Sequence, residues 1–228
     1  MCVSAHFVAP AFSVTTSEAP TLLRDAESEA ISAAYCPRGS VALARKVLEN
    51  LFYAKLKASA DPARGLDHGA WLPLSIMFPE ADIPVVEISL HTSLDPEMHF
   101  ALGRALEPLR DEGILIVGSG SLTHDLADHE RVSHDPEASD VLGERSRRFE
   151  TWVTDLLTGS APYARARGLT RFRDHPDAPA VHPNGEHLLP LLVVAGAASK
   201  DTSRGNVGVL VHAGSQRGLS VAAFSFGA

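Results

Sequence analysis

Eleven of the 228 residues are histidines, and four of these fall where polar loops follow or interrupt apolar runs. His6 ends the short apolar stretch from Cys2 to Phe7. His68 lies in Gly65-Leu66-Asp67-His68-Gly69-Ala70-Trp71, and His124 closes Gly118-Ser119-Gly120-Ser121-Leu122-Thr123-His124. His187 follows Pro183-Asn184-Gly185-Glu186 at the start of a helical pattern. Imidazole is the commonest protein ligand for borderline divalent metals, and its neutral form is a general base near neutral pH. One side-chain type repeated at four distant polar loops predicts a metal centre assembled by folding. The glycines beside these histidines let backbone approach a ligand, and Asp67 is placed to orient a neighbouring imidazole. His91, His99, His129, His134, His175 and His212 lack such a setting and are read as ordinary polar residues, while His182 stays open because it lies close to His187.

Other site chemistries fail on their spacing. Gly118-Ser119-Gly120-Ser121-Leu122-Thr123 lacks the sixth-position glycine of a dinucleotide loop, and neither a Walker lysine nor a Gly-x-Ser-x-Gly elbow occurs. The two cysteines, Cys2 and Cys36, form no CxxC pair, which excludes a disulfide framework and a zinc knuckle and makes a reducing cytoplasm the expected compartment. The arginines from Arg145 to Arg173 read as a solvated helix and loop, with a grip on a substrate carboxylate as the functional alternative. Lys plus Arg number 20 against 28 Asp plus Glu, a net charge of −8 that argues against nonspecific nucleic-acid binding. With 45% hydrophobic and 21% charged residues the composition is that of a globular protein, and no apolar run is long enough to span a bilayer.

The elements that must hold the histidines alternate between strand and helix patterns. Cys2 to Phe7 and Phe12 to Thr16 read as short strands. Ser40 to Lys57 carries a helical apolar stripe with Ser40 as N-cap. Ile83 to Leu90 reads as a strand covered on both faces, and Asp95 to Glu112 as a helix with Pro96 at its first position, stopped by Gly113. Gly113 to Ser121 reads as a buried strand, Ser146 to Leu157 and Glu186 to Ala198 as helices, and Val207 to His212 and Leu219 to Phe226 as closing strands. This alternation predicts a single α/β domain over residues 1–228, with a mainly parallel central sheet and helices on both faces. In such sheets ligands bind beyond the carboxyl ends of the strands.

Several of these stretches taken together resemble the class III extradiol ring-cleavage dioxygenases, in the branch typified by 4,5-DOPA dioxygenase. They are Ser4-Ala5-His6, Gly65 to Trp71, Ala81 to Leu90, Leu102-Gly103-Arg104-Ala105-Leu106 with Asp111-Glu112-Gly113, Gly118 to His124, and Glu186-His187-Leu188-Leu189-Pro190-Leu191-Leu192. The resemblance runs from about His6 to the C-terminus and is weakest across Thr21 to Pro37 and Ala127 to Val181. It implies an enzyme that binds Fe(II) or Zn(II) and opens a catechol such as DOPA with dioxygen. His6 and His187 fall on metal-ligand positions. His124 falls on the acid/base position, described as an additional ligand in zinc-bound relatives, and His68 on a histidine that contacts substrate.

One departure accompanies the resemblance. The family begins with an earlier strand and a His-Gly loop that supplies another ligand, and here Met1, Cys2 and Val3 alone stand before Ser4-Ala5-His6. The expectation is therefore of a sheet whose N-terminal strand is missing, with Cys2 to Phe7 left as an exposed apolar edge. The chain is then expected to be nearly inactive, unless Glu186 or His124 completes the shell. The alternative reading is a catalytically inactive remnant with weak metal binding. A zinc hydrolase on the same scaffold is disfavoured, because no Glu stands as an obvious base for metal-bound water. The catechol's side chain, the choice of metal and the oligomeric state are not encoded in any motif of the sequence.

Overall fold

The computed structural model describes residues 1–23, 35–124, 135–199, 207–216 and 218–227. His129 and His134 lie outside the described residues. Five strands form the central sheet: β1 (Cys2–Ala9), β2 (Phe12–Thr15), β3 (Ala58–Asp61), β4 (Glu87–His91) and β5 (Val117–Ser119), in the order β3-β2-β4-β1-β5. β1 runs parallel to both β4 and β5, and β2 parallel to β3; β2 and β4 are antiparallel. The expected mainly parallel sheet is present, but β1 is not its edge. β4 and β5 hydrogen-bond to its two sides, so Cys2, Val3, Ser4 and Ala5 are buried within the sheet.

Side chains alternate along β1 and feed two apolar layers. Val3, with Val14 of β2 and Ile88 of β4, faces α1 (Val41–Tyr53), α3 (Pro96–Leu106) and α8 (Leu189–Ala197). Cys2 faces the other way, against Leu66 and against Ala70, Trp71 and Leu74 of α2 (His68–Met77). Helices therefore cover both faces. α1 begins as its cap predicts, with Ser40 Oγ accepting from the Leu43 amide, and Asp95 caps α3 through the Glu97 and Met98 amides.

The remaining differences from the sequence reading have local causes. β4 starts only at Glu87, because Pro84 has no amide to give a ladder and the Val85 amide is spent on the Arg38 carbonyl. Pro108 breaks the Asp95 to Glu112 helix into α3 and the short α4 (Pro108–Asp111), and Gly113, at φ +76°, ends it. The strand after Gly113 is limited to Val117–Ser119. Beyond β5 come α5 (Pro136–Gly159), longer than the stripe that signalled it, then α6 (Pro162–Thr170) and α7 (Ala178–Val181). β3, α2 and α6 are elements that the periodicity above does not predict. The closing strands β6 (Gly208–Gln216) and β7 (Leu219–Phe226) pair only with each other, as an antiparallel hairpin apart from the central sheet. No helix among the described residues is long and apolar enough to cross a membrane.

α3 and α8 cross with backbone almost touching. A Cβ added at Gly103 would lie 2.8 Å from the Ala197 nitrogen, and one at Gly196 would lie 3.2 Å from the Gly103 Cα. Gly103→Ala gains about 1 kcal/mol in helix propensity but must push the helices apart, so we expect a net loss of about 1–3 kcal/mol in chemical denaturation. A stabilised variant would show that the crossing is not tight.

Candidate metal centre

The four histidines singled out in the sequence come together, His68 from a helix on one face of the sheet and His187 from the turn before a helix on the other. β1 brings His6 to them through an irregularity in its register with β4 between Val3 and Val8, and the His6 amide donates to Ser4 Oγ at 3.1 Å. Such irregularities re-aim a side chain beside a site. His68 is the first residue of α2, directly after its N-cap Asp67, whose Oδ1 accepts from the Ala70 amide at 3.1 Å. Gly69 allows this helix end to reach β1: a Cβ there would strike Ser4 Oγ and lie 2.8 Å from His6 Cδ2. The His6 and His68 ring centroids are consequently only 4.1 Å apart.

His124 and His187 arrive from the other half of the chain. The loop after β5 is fastened to the Glu186–Leu188 turn by the Ser121 amide, which donates to the His187 carbonyl at 3.0 Å, and Gly120 packs on that same carbonyl. The His124 amide donates to the Val181 carbonyl at 2.7 Å. Gly185, at φ +88°, turns the chain so that Glu186 and His187 project together. The His124 and His187 rings then stack at 3.4 Å with 11° between planes, and His187 meets His6 edge-on at 5.1 Å.

Among the described residues, His124, Glu186 and His187 offer ligand atoms that all lie within 4.8 Å of one another. His6 and His68 stand beside this trio. Donation from His187 Nδ1 to Glu186 Oε1, at 3.2 Å, leaves the His187 Nε2 lone pair available. Glu186 Oε2 is buried without a hydrogen-bond partner, a carboxylate oxygen whose demand a cation would meet. Burial, and then the stacked His124, pull His187 down to about 4; burial and then His68 also lower His6. Neutral imidazoles are the form that binds metal, so this donor set fits a divalent ion. A cavity of about 1140 Å³ opens at His187, walled by residues 113–122, by Leu191 and Val194 of α8, and by residues 222–227.

Other candidates find structural partners. His99 is buried, donating from Nδ1 to the Asp95 carbonyl at 2.6 Å and accepting the His91 amide at Nε2. Arg148 forms a forked pair with Asp177 at 2.8 and 2.9 Å, and Arg173 donates to the Leu94 and Asn184 carbonyls, which leaves neither poised as a carboxylate grip. Glu87 was not singled out from the sequence, although an acidic residue inside the apolar run Ile83 to Leu90 was a readable signal. It is fully buried and accepts from the Asp67 amide.

Comparison with known proteins places this geometry. The profile described as the catalytic LigB subunit of aromatic ring-opening dioxygenase matches residues 1–224. The chain belongs to this family. Within it, the chain is 39% identical over 169 residues to a 4,5-DOPA dioxygenase extradiol of Beta vulgaris, covering 74% of this chain and 60% of the relative. It is 37% identical to a protein of that name from Escherichia coli K12, covering 86% of this chain and 70% of the relative. The chain thus spans about 60% of the length of the plant relatives from Beta vulgaris and Mirabilis jalapa. The crystal structure of an uncharacterized protein from Escherichia coli K12 superposes with a TM-score of 0.72 at 29% identity, over 99% of this chain and 84% of that one. The LigB fold is therefore the α/β architecture described above.

His182 supports the centre from behind. Only 4% exposed, it donates from Nε2 to the Leu122 carbonyl at 2.6 Å and packs against Phe149 and Phe172. Burial lowers it from 6.5 to about 4. Above pH 6.5 this group is neutral folded or unfolded and contributes no pH dependence. As pH falls from 6.5 to about 4 the unfolded chain takes up a proton that the folded chain refuses, so stability drops by about 3 kcal/mol from this group. Denaturation of the metal-free protein across that window should show the slope, and His182→Gln should flatten part of it. An equal slope in the variant would remove His182 as its source.

Proposed function

We propose that the chain holds Fe(II) or Zn(II) through His187 and His6, with Glu186 orienting the His187 ring and His124 standing beside them as acid and base, and opens the ring of a catechol with dioxygen. The observation that carries this reading is the convergence of His6, His68, His124 and His187 from four separate stretches beside a buried, unpartnered Glu186 oxygen. The plant and bacterial relatives named 4,5-DOPA dioxygenase extradiol support a DOPA-like catechol as substrate. Bound there, a divalent metal would bring catecholate and dioxygen together, and Fe(II), unlike redox-inert Zn(II), would also carry electrons between them.

The chain's own residues supply the rest. His187 is held by Glu186 so that Nε2 faces the centre, and stacking on His124 fixes the tilt of both rings. His124 takes a catechol hydroxyl proton and later returns one to the ring-opened product, a role worth roughly 10²–10⁴-fold. His68, at the N-terminal end of α2, has amide dipoles behind it and hydrogen-bonds the developing negative charge. The cavity lined by residues 113–122 and by Leu191 and Val194 of α8 opens onto His187 and gives a substrate room to reach it.

Oxygen uptake with a panel of catechols, after anaerobic loading with Fe(II) or Zn(II), tests the reading. Turnover of a catechol with one dioxygen consumed per ring opened is expected. His124→Ala should lower turnover by about 10²–10⁴-fold while bound metal falls far less. Metal lost in step with activity would make His124 a ligand only. Metal binding with no oxygen uptake by any catechol would favour the inactive remnant.

A further inference from the structure

Behind His6 and His68 lies a second cluster of ionisable groups that the proposed chemistry does not use. Glu87 on β4 is fully buried and Asp67 is 5% exposed. The Asp67 amide donates to Glu87 Oε2 at 3.2 Å, and the Glu87 amide donates to Thr15 Oγ1 of β2 at 2.8 Å. The other two oxygens, Glu87 Oε1 and Asp67 Oδ2, are both buried and find no conventional partner. Among the described residues the cation beside them is Arg64, which is stacked 4.1 Å over the Phe7 ring and places its guanidinium 3.6 Å from Asp67 Oδ2. On the β1 side the neighbour is the buried Cys2 thiol, which burial and the nearby Glu87 push up and keep protonated.

Two buried carboxyls facing one guanidinium cannot both be ionised at acceptable cost. The ion pair with Arg64 marks Asp67 as the anion. A proton on Glu87 satisfies both orphaned oxygens together, as a hydrogen bond from the Glu87 carboxylic acid to the Asp67 carboxylate. Burial first, and then the Asp67 charge and that side-chain hydrogen bond, raise Glu87 far above the usual carboxylate range.

We propose that Glu87 is a positioning residue for the histidine centre, a neutral acid that clamps Asp67 by its amide and its carboxylate and so fixes the start of α2 that carries His68. The consequence follows from the chain geometry. Asp67 is the cap of α2, His68 is the next residue, and Gly69 already touches Ser4 and His6, so a small rotation of Asp67 moves His68 against the His6 ring. The catalytic part of this inference rests on the proposed function; the proton between Glu87 and Asp67 does not.

Infrared spectroscopy and amide exchange on the metal-loaded full chain test it. At neutral pH the wild type should show the carbonyl stretch of a protonated, buried carboxylic acid, and Glu87→Gln should lose that band. Gln offers an oxygen to the Asp67 amide and an NH₂ to its carboxylate, so this variant should keep the wild-type protection of amides 67–71 and ring-cleaving turnover within about threefold. Glu87→Leu removes both partners, and should speed exchange of those amides and lower turnover by about 10–100-fold. Absence of the band in wild type, or its persistence in Glu87→Gln, overturns the shared proton even if Glu87→Leu fails to fold. Unchanged exchange in a folded Glu87→Leu overturns the positioning role. Inactivity of every form, wild type included, would sink the proposed function while the infrared and exchange results still decided this inference.

Discussion

Four imidazoles stand as successive neighbours, with ring centroids 3.4 to 5.1 Å apart, and the structure around them keeps those rings aimed. Stacked or abutting imidazolium ions in a half-buried site would repel one another strongly, so packing His124 on His187 and His68 beside His6 favours the uncharged forms of His187 and His6. Burial acts in the same direction on His6, His187 and His182. Neutral imidazole is also the form with a lone pair for a metal or a proton. The electrostatic constraint of assembling the cluster and the chemical requirement of using it thus coincide.

Each ring is held by a device that depends on backbone, and the devices interlock. Gly69 admits the start of α2 to the surface of β1, Gly120 admits the loop after β5 to the His187 carbonyl, and Gly185 supplies the left-handed turn that projects Glu186 with His187. A side chain at either of the first two would meet backbone or site atoms directly. β1 stands at the middle of this arrangement because both of its neighbours are strands whose ends lead to histidine-bearing segments or to their supports. β5 leads to His124, and β4 carries Glu87 beneath Asp67 and His68.

Much of the site was legible in the sequence because chemistry and punctuation coincided there. His6, His68, His124 and His187 each stand beside glycine or at the end of an apolar run, and Asp95-Pro96 and Ser40 announced their helices through capping. What escaped depended on partners far away in the chain. Whether Cys2 to Ala9 is an edge or an interior strand is decided by where β4 and β5 dock, which no local pattern records. α2 was hidden because His68-Gly69-Ala70-Trp71 reads as a glycine loop until the Asp67 cap and the approach to Ser4 are seen. Val207 to Phe226 had strand-like residues, but composition does not say which sheet a strand joins. Glu87 was passed over because its meaning lies in Asp67, twenty residues earlier.

The central claim is that these separated histidines form one divalent metal centre. X-ray absorption at the metal edge of the anaerobically loaded protein examines it without reference to turnover. The account predicts one tightly held ion whose inner shell contains at least two imidazole nitrogens at about 2.0–2.2 Å, visible through the multiple scattering of the rings. A loaded metal surrounded by oxygen alone, with no imidazole scattering, would contradict it.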